Sequence, residues 1–145
     1  MIDRTIEPKL REVFVSVVAA DSNRFERALK ALDGDQYRYA ANLALAIDCT
    51  VMSDLHDDPP TEERLNSLTR SFSKMQNWYD LGDFPVADYF RFLAGQSSGP
   101  IDPNVSALLA FLTGGWLLVA FLDGKTPWYE YLDDILNRLD EQPDI

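Results

Sequence analysis

Val105 to Leu122 is a run of 18 residues without a charge, and it constrains this chain more than any other stretch. Such a segment can cross a bilayer, which takes roughly 20 apolar residues, or run through the middle of a helical protein with other elements on every side. Its surroundings argue for the second. Asp102 and Asp123 bracket it, Lys125 is the one base close by, and Ser106, Thr113, Gly114 and Gly115 dilute it, so signals for insertion and orientation are poor. The sequence therefore predicts a central helix over about residues 103–122, with Asp102 as N-cap and Pro103 in the first turn. Gly114 and Gly115 inside it each cost about 1 kcal/mol relative to alanine, so the pair predicts a kink or a close backbone approach.

Helices that surround a core of this kind must each carry one apolar stripe. Leu10, Val13, Phe14, Val17 and Val18 follow helical spacing, with Pro8 in the first turn. Asp21 predicts the N-cap of a second helix carrying Phe25, Ala28, Leu29 and Leu32, closed at Asp33-Gly34 by a left-handed glycine. Asp35 predicts the cap of a third, from Gln36 to about Leu55, with Ala40, Leu43, Ala44, Ile47 and Val51 on its main face and Leu45 and Met52 widening it. The paired prolines of His56-Asp57-Asp58-Pro59-Pro60 must interrupt this pattern.

Thr61 then caps a fourth helix bearing Leu65, Leu68, Phe72, Met75 and Tyr79, which Leu81-Gly82-Asp83 closes. Pro85 opens a short fifth with Val86, Tyr89, Phe90 and Leu93, and Thr126-Pro127 repeats the cap-plus-proline signature before a seventh, Trp128 to about Asp140. No strand-like alternation competes, and aromatic, glycine and proline positions do not recur at the fixed period of a helical repeat. The expected fold is all-α, a compact bundle of six to seven helices around the apolar sixth. It is expected to form a single domain over 1–145, with an exposed Gly/Ser/Pro-bearing loop at 95–102 and a flexible acidic end at 141–145.

A chain of 145 residues is long enough to bury a core without staples. Its one cysteine, Cys49, and one histidine, His56, exclude an internal disulfide and a multi-histidine metal site, so no metal or cofactor is expected. The start, Met1 to Glu7, lacks a basic segment followed by an apolar run, which together with the cysteine usage points to the cytoplasm. The net charge of -11 is uneven: residues 1–53 hold eight acids against seven bases, 54–102 nine against four, and 103–145 seven against two. That balance repels phosphate backbones and anionic lipid, so neither nucleic acid nor membrane is an expected partner, and a basic protein is.

Several clusters invite a chemical reading. Cys49, Ser53 and His56 share a stripe of the third helix, but seven residues of helix put the thiol and the imidazole roughly 10.5 Å apart along the axis. That is too far for a nucleophile and its base, which leaves a buried cysteine and a surface histidine. Asp57, Asp58, Glu62 and Glu63 lack the glycine-pivoted loop of a cation site and read as acids favouring a helix N-terminus. Asp48, at the edge of an apolar face, must pair, accept hydrogen bonds or become protonated; the expected partner is an arginine from a neighbouring helix, and the alternative is a pocket acid. In the seventh helix Glu130, Asp133, Asp134, Asn137 and Glu141 form an acidic face bordered by Tyr129 and Tyr131, opposite a core stripe of Trp128, Leu132, Ile135, Leu136 and Leu139.

Acids mixed with tyrosines suit a surface aimed at a basic groove, since carboxylates steer and tyrosines supply contact area. The functional expectation is thus a non-catalytic acidic interaction module, whose basic partner is a nuclease-type toxin or another nucleic-acid-binding protein. The acids at 57–63 and on the seventh helix are its candidate contacts. A second expectation is a small helical enzyme or ligand-binding domain with a pocket beside the third and sixth helices near Asp48 or His56. A third is a structural subunit that self-associates through the sixth helix.

Overall fold

The computed structural model describes residues 2–56, 58–75, 77–82, 84–96, 102–120 and 127–141, the side chain of Met75 excepted. Asp57, Asp83, Thr126, most of the expected loop (97–101), the last two residues of the expected central helix and the end at 142–145 lie outside them. Seven helices follow in order: α1 (Glu7–Val18), α2 (Ser22–Lys30), α3 (Gly34–Leu55), α4 (Glu62–Met75), α5 (Val86–Leu93), α6 (Pro103–Ala120) and α7 (Trp128–Asp140). No strand occurs among the described residues. The all-α bundle around the sixth helix is the fold observed.

The uncharged segment does what its composition demands. α6 is buried all round from Leu109 to Leu118, with α1, α3, α5 and α7 packed against it. Its length and apolarity would allow it to cross a membrane, yet 61% of it is covered by the protein itself. The glycine pair explains how. A Cβ on Gly114 would lie 2.6 Å from Phe14 Cε1 and 2.9 Å from Asp48 Oδ1, and one on Gly115 would lie 2.5 Å from Val17 Cγ1. α6 runs through both glycines without interruption, so the pair serves a close approach of α1 and α3. The central turns of α6 are covered by their own chain, while Val119 near its end is 37% exposed.

Local signals set most boundaries. Asp21 caps α2 by accepting the Arg24 N–H at 3.1 Å, Thr61 accepts the Arg64 N–H at 3.1 Å, and Asp102 accepts the Asn104 N–H at 2.9 Å. Thr61→Ala is expected to lower stability by about 1 kcal/mol, measured by urea unfolding, because it leaves an N-terminal donor of α4 without its partner.

Five expectations are corrected. Val18 is 38% exposed, since it sits roughly 80° round the helix from Leu10, at the edge of the stripe. α3 begins two residues early: Asp33, in extended backbone, accepts the Gln36 N–H at 3.3 Å and replaces Asp35 as the cap. Gly34 is therefore the first residue of α3, and α2 ends on the right-handed Ala31. Tyr79 lies beyond the end of α4, its ring edge-on to Phe25 at 5.4 Å. Pro127, with extended ψ, is itself the N-cap residue of α7.

One tie has no sequence signal. Ile2 and Ile6 are buried, the Ile2 N–H donates to Asp140 Oδ1 at 2.6 Å, and Arg4 pairs with the other oxygen at 3.0 Å. The start of the chain is thereby fastened to the end of α7.

Candidate functional site

The acidic face of α7 is present, but it is not continuous. Arg11 reaches across from α1 to hold Asp133 at 2.6 Å and Glu7 at 2.5 Å. Arg138 binds both oxygens of Asp54 on α3, at 3.1 and 2.8 Å, and lies 3.3 Å from Asp134. The Tyr131 hydroxyl donates to Asp54 Oδ2 at 2.7 Å, so this tyrosine is tied down and half-buried. The Arg138 guanidinium holds the Asp54 carboxyl below the usual range, and burial pushes Tyr131 up. Charges of both signs are thus interleaved here, and what stays open is narrower than the sequence suggested. Tyr129 is 51% exposed, and the exposed side chains of Glu130, Asn137 and Glu141 engage no described residue.

The acids of the 57–63 turn separate in a similar way. Asp57 lies outside the described residues. Asp58 and Glu63 are exposed, whereas Glu62 is held by Arg91 at 2.6 Å, and Arg91 also holds Asp88 at 3.0 Å. This clasp joins α4 to α5 and keeps the Glu62 carboxyl below its ordinary range.

His56 is half-buried at the end of α3 and was expected at the surface. Its Nδ1 lies 2.9 Å from the Met52 carbonyl, and its Nε2 lies 3.2 Å from Arg64 Nε. A carbonyl only accepts and a guanidinium only donates, so the proton sits on Nδ1 and both nitrogens are occupied. The ring has no lone pair free to take a proton from Ser53. Cys49, expected to be buried, is exposed. Partial desolvation and then the adjacent Asp48 push its thiol up to about 11, so it stays protonated and a poor nucleophile.

Asp48 is fully buried and has no arginine. Its partner is Tyr89 of α5, whose hydroxyl donates to Oδ2 at 2.6 Å, while Oδ1 has no hydrogen-bond partner among the described residues and points at Gly114. Burial holds this carboxyl well above the usual range, and the Tyr89 hydrogen bond pulls it only partly back. A glycine at 114 is what leaves room for Oδ1. Asp48 itself is filled core with no exposure, so it opens on no cavity among the described residues.

Concavities lie elsewhere. A broad depression of about 910 Å³ runs from the end of α4 to the start of α5, with Trp78, Tyr79 and Phe84 on its walls. A narrower groove of about 410 Å³ separates the first halves of α3 and α6, and includes Tyr37, Arg38, Asn42 and Asn104. A shallow hollow of about 220 Å³ brings Cys49 and His56 to one surface. Sequence reasoning placed a pocket beside the third and sixth helices, but near Asp48 or His56 and not at their first halves, and it did not find the depression between α4 and α5. Nothing in local spacing marks them, although Arg38, the last base before a long acidic stretch, was the one available hint. Comparisons with protein-family models, with curated proteins and with solved structures found no match to this chain.

Proposed function

We propose that this chain is a non-catalytic interaction protein that presents the open part of α7, Tyr129 with Glu130, Asn137 and Glu141, to a basic protein partner. The observation that carries the reading is Tyr129: a half-exposed tyrosine beside acids that no described base holds, on a chain of net charge -11. An aromatic ring of this kind gives contact area at small entropic cost, and free carboxylates steer a cationic surface toward it. A nuclease-type toxin or another nucleic-acid-binding protein in the reducing cytoplasm has the complementary charge. The occupied nitrogens of His56, the protonated thiol of Cys49 and the sealed Asp48 favour binding over catalysis.

Asp133 and Asp134 are poor positions for a test, since reversing them breaks internal ion pairs with Arg11 and Arg138. The informative variant is Tyr129→Ala combined with Glu130→Lys and Glu141→Lys. It is expected to unfold at the temperature of the parent chain and to bind the captured basic partner at least about tenfold more weakly. Equal binding by parent and variant refutes the reading.

A further inference from the structure

The groove between α3 and α6 is lined by a base and by no described acid. Its volume of about 410 Å³ falls within the roughly 300–1,000 Å³ of small-molecule sites. Ala41 and Leu45 of α3 and Ala107 and Ala110 of α6 give it an apolar floor of mostly small side chains. Tyr37 makes one wall, its ring braced edge-on by Phe111 at 5.5 Å. Hydrogen-bonding groups enter from both helices, Arg38 and Asn42 on one side and Asn104 and Ser106 on the other.

Among the described residues no carboxylate lines this groove, although the chain carries 24 acids. Among the described residues its one lining cation is Arg38, which, like Arg27 and Arg70, makes no ion pair with any described residue, whereas Arg4, Arg11, Arg24, Arg91 and Arg138 each hold a carboxylate. A guanidinium left unpaired in so acidic a chain, beside an apolar floor, is a fork of donors without an acceptor. Both helices also begin here, Gly34 and Pro103 being among the lining residues, with the first N–H groups of each end already held by the carboxylates of Asp33 and Asp102. Asp33 and Asp102, which cap those ends, are not among the lining side chains.

We propose that this groove binds a small amphipathic anion. Its apolar body lies on Ala41, Ala107 and Ala110, and its carboxylate, sulfonate or phosphate meets Arg38 with the amides of Asn42 and Asn104. Neither half of such a ligand suffices alone. A neutral apolar molecule leaves Arg38 without an acceptor, an inorganic anion leaves the floor wet, and an organic cation meets a field of its own sign.

The test uses three probes on the full chain at low salt: octanoate, octanol with a similar body and no charge, and inorganic phosphate with charge and no body. Binding is followed by the amide NMR shifts of residues 34–45 and 103–110. Octanoate is expected to saturate those shifts about tenfold more tightly than either comparator. Arg38→Gln is expected to remove that advantage while leaving octanol unchanged; Arg38 is exposed, so folding is not at stake. Ala41→Leu, which fills the groove, is expected to weaken octanoate and octanol together, and if that variant misfolds the Arg38 comparison decides alone. Octanoate that fails to saturate, binds no better than phosphate, or is indifferent to Arg38→Gln overturns the proposal. These variants leave α7 untouched, so the outcome is independent of the protein-binding face.

Discussion

Gly115→Ala will destabilise the fold by about 1–3 kcal/mol, the usual cost of forcing an extra group into a packed interior. Taken locally the substitution should help, since alanine in a helix interior is better than glycine by about 1 kcal/mol. Packing reverses the sign. The added methyl would stand 2.5 Å from Val17 Cγ1 and 2.6 Å from Val17 Cβ, and a Cβ cannot swing away without moving the backbone of α1. Gly34→Ala is the matched control. A Cβ there meets nothing within 4 Å and the residue opens α3, so stability is expected to hold or rise by up to about 1 kcal/mol. Urea unfolding of both variants checks the pair, and a stabilised Gly115→Ala protein would show that α1 and α6 are not in close approach.

The second large effect is a pH dependence of unusual sign. Asp48 titrates near 3.8 when unfolded and well above that when folded, because burial opposes its charge. Between those two values the native protein binds more protons than the unfolded chain, so stability falls as pH rises, at up to about 1.4 kcal/mol per pH unit. The paired carboxylates Asp54, Glu62 and Asp140 act oppositely. Their folded values are lowered, so they contribute stability above the ordinary carboxylate range and lose it as pH falls through and below that range, whereas the window of Asp48 runs upward from 3.8. Asp48→Asn is expected to flatten the decline that begins above the ordinary carboxylate range, and contributions common to both chains cancel in the difference. Tyr89→Phe removes the one hydrogen bond that the carboxyl accepts among the described residues and should cost about 1–3 kcal/mol. Parallel pH profiles for the parent and Asp48→Asn would mean that Asp48 is ionised in the folded protein.

The fold was legible where a signal was local. The uncharged run, the cap at Asp21, the cap at Thr61 and the stripe through Ala40, Ala44, Ile47 and Val51 each dictate their element from within a few residues. Asp33-Gly34 was misread because the same dipeptide serves as a helix stop or a helix start, and what decides is where α2 has already ended. The candidate site was less legible because its chemistry is assembled over long separations. The acids of α7 can be seen in the sequence, but Arg11, which neutralises Asp133 from 122 residues away, cannot be assigned to them. The burial of Asp48 could be inferred from its alanine, valine and leucine neighbours, whereas Tyr89 lies 41 residues on and on a different helix. The α3/α6 groove arises from alanines, which leave no motif, and from an arginine whose neighbours across the groove lie on a distant helix.

Capture from native cell extract on the immobilised chain at about 50 mM and about 500 mM salt tests the central claim most directly, because the Debye length shrinks from roughly 14 Å to 4 Å between them. A protein with a basic surface that is retained at the lower salt, and released at the higher, is the predicted result. Retention that does not respond to salt, or a retained protein with no basic surface, would contradict an acidic face as the means of recognition.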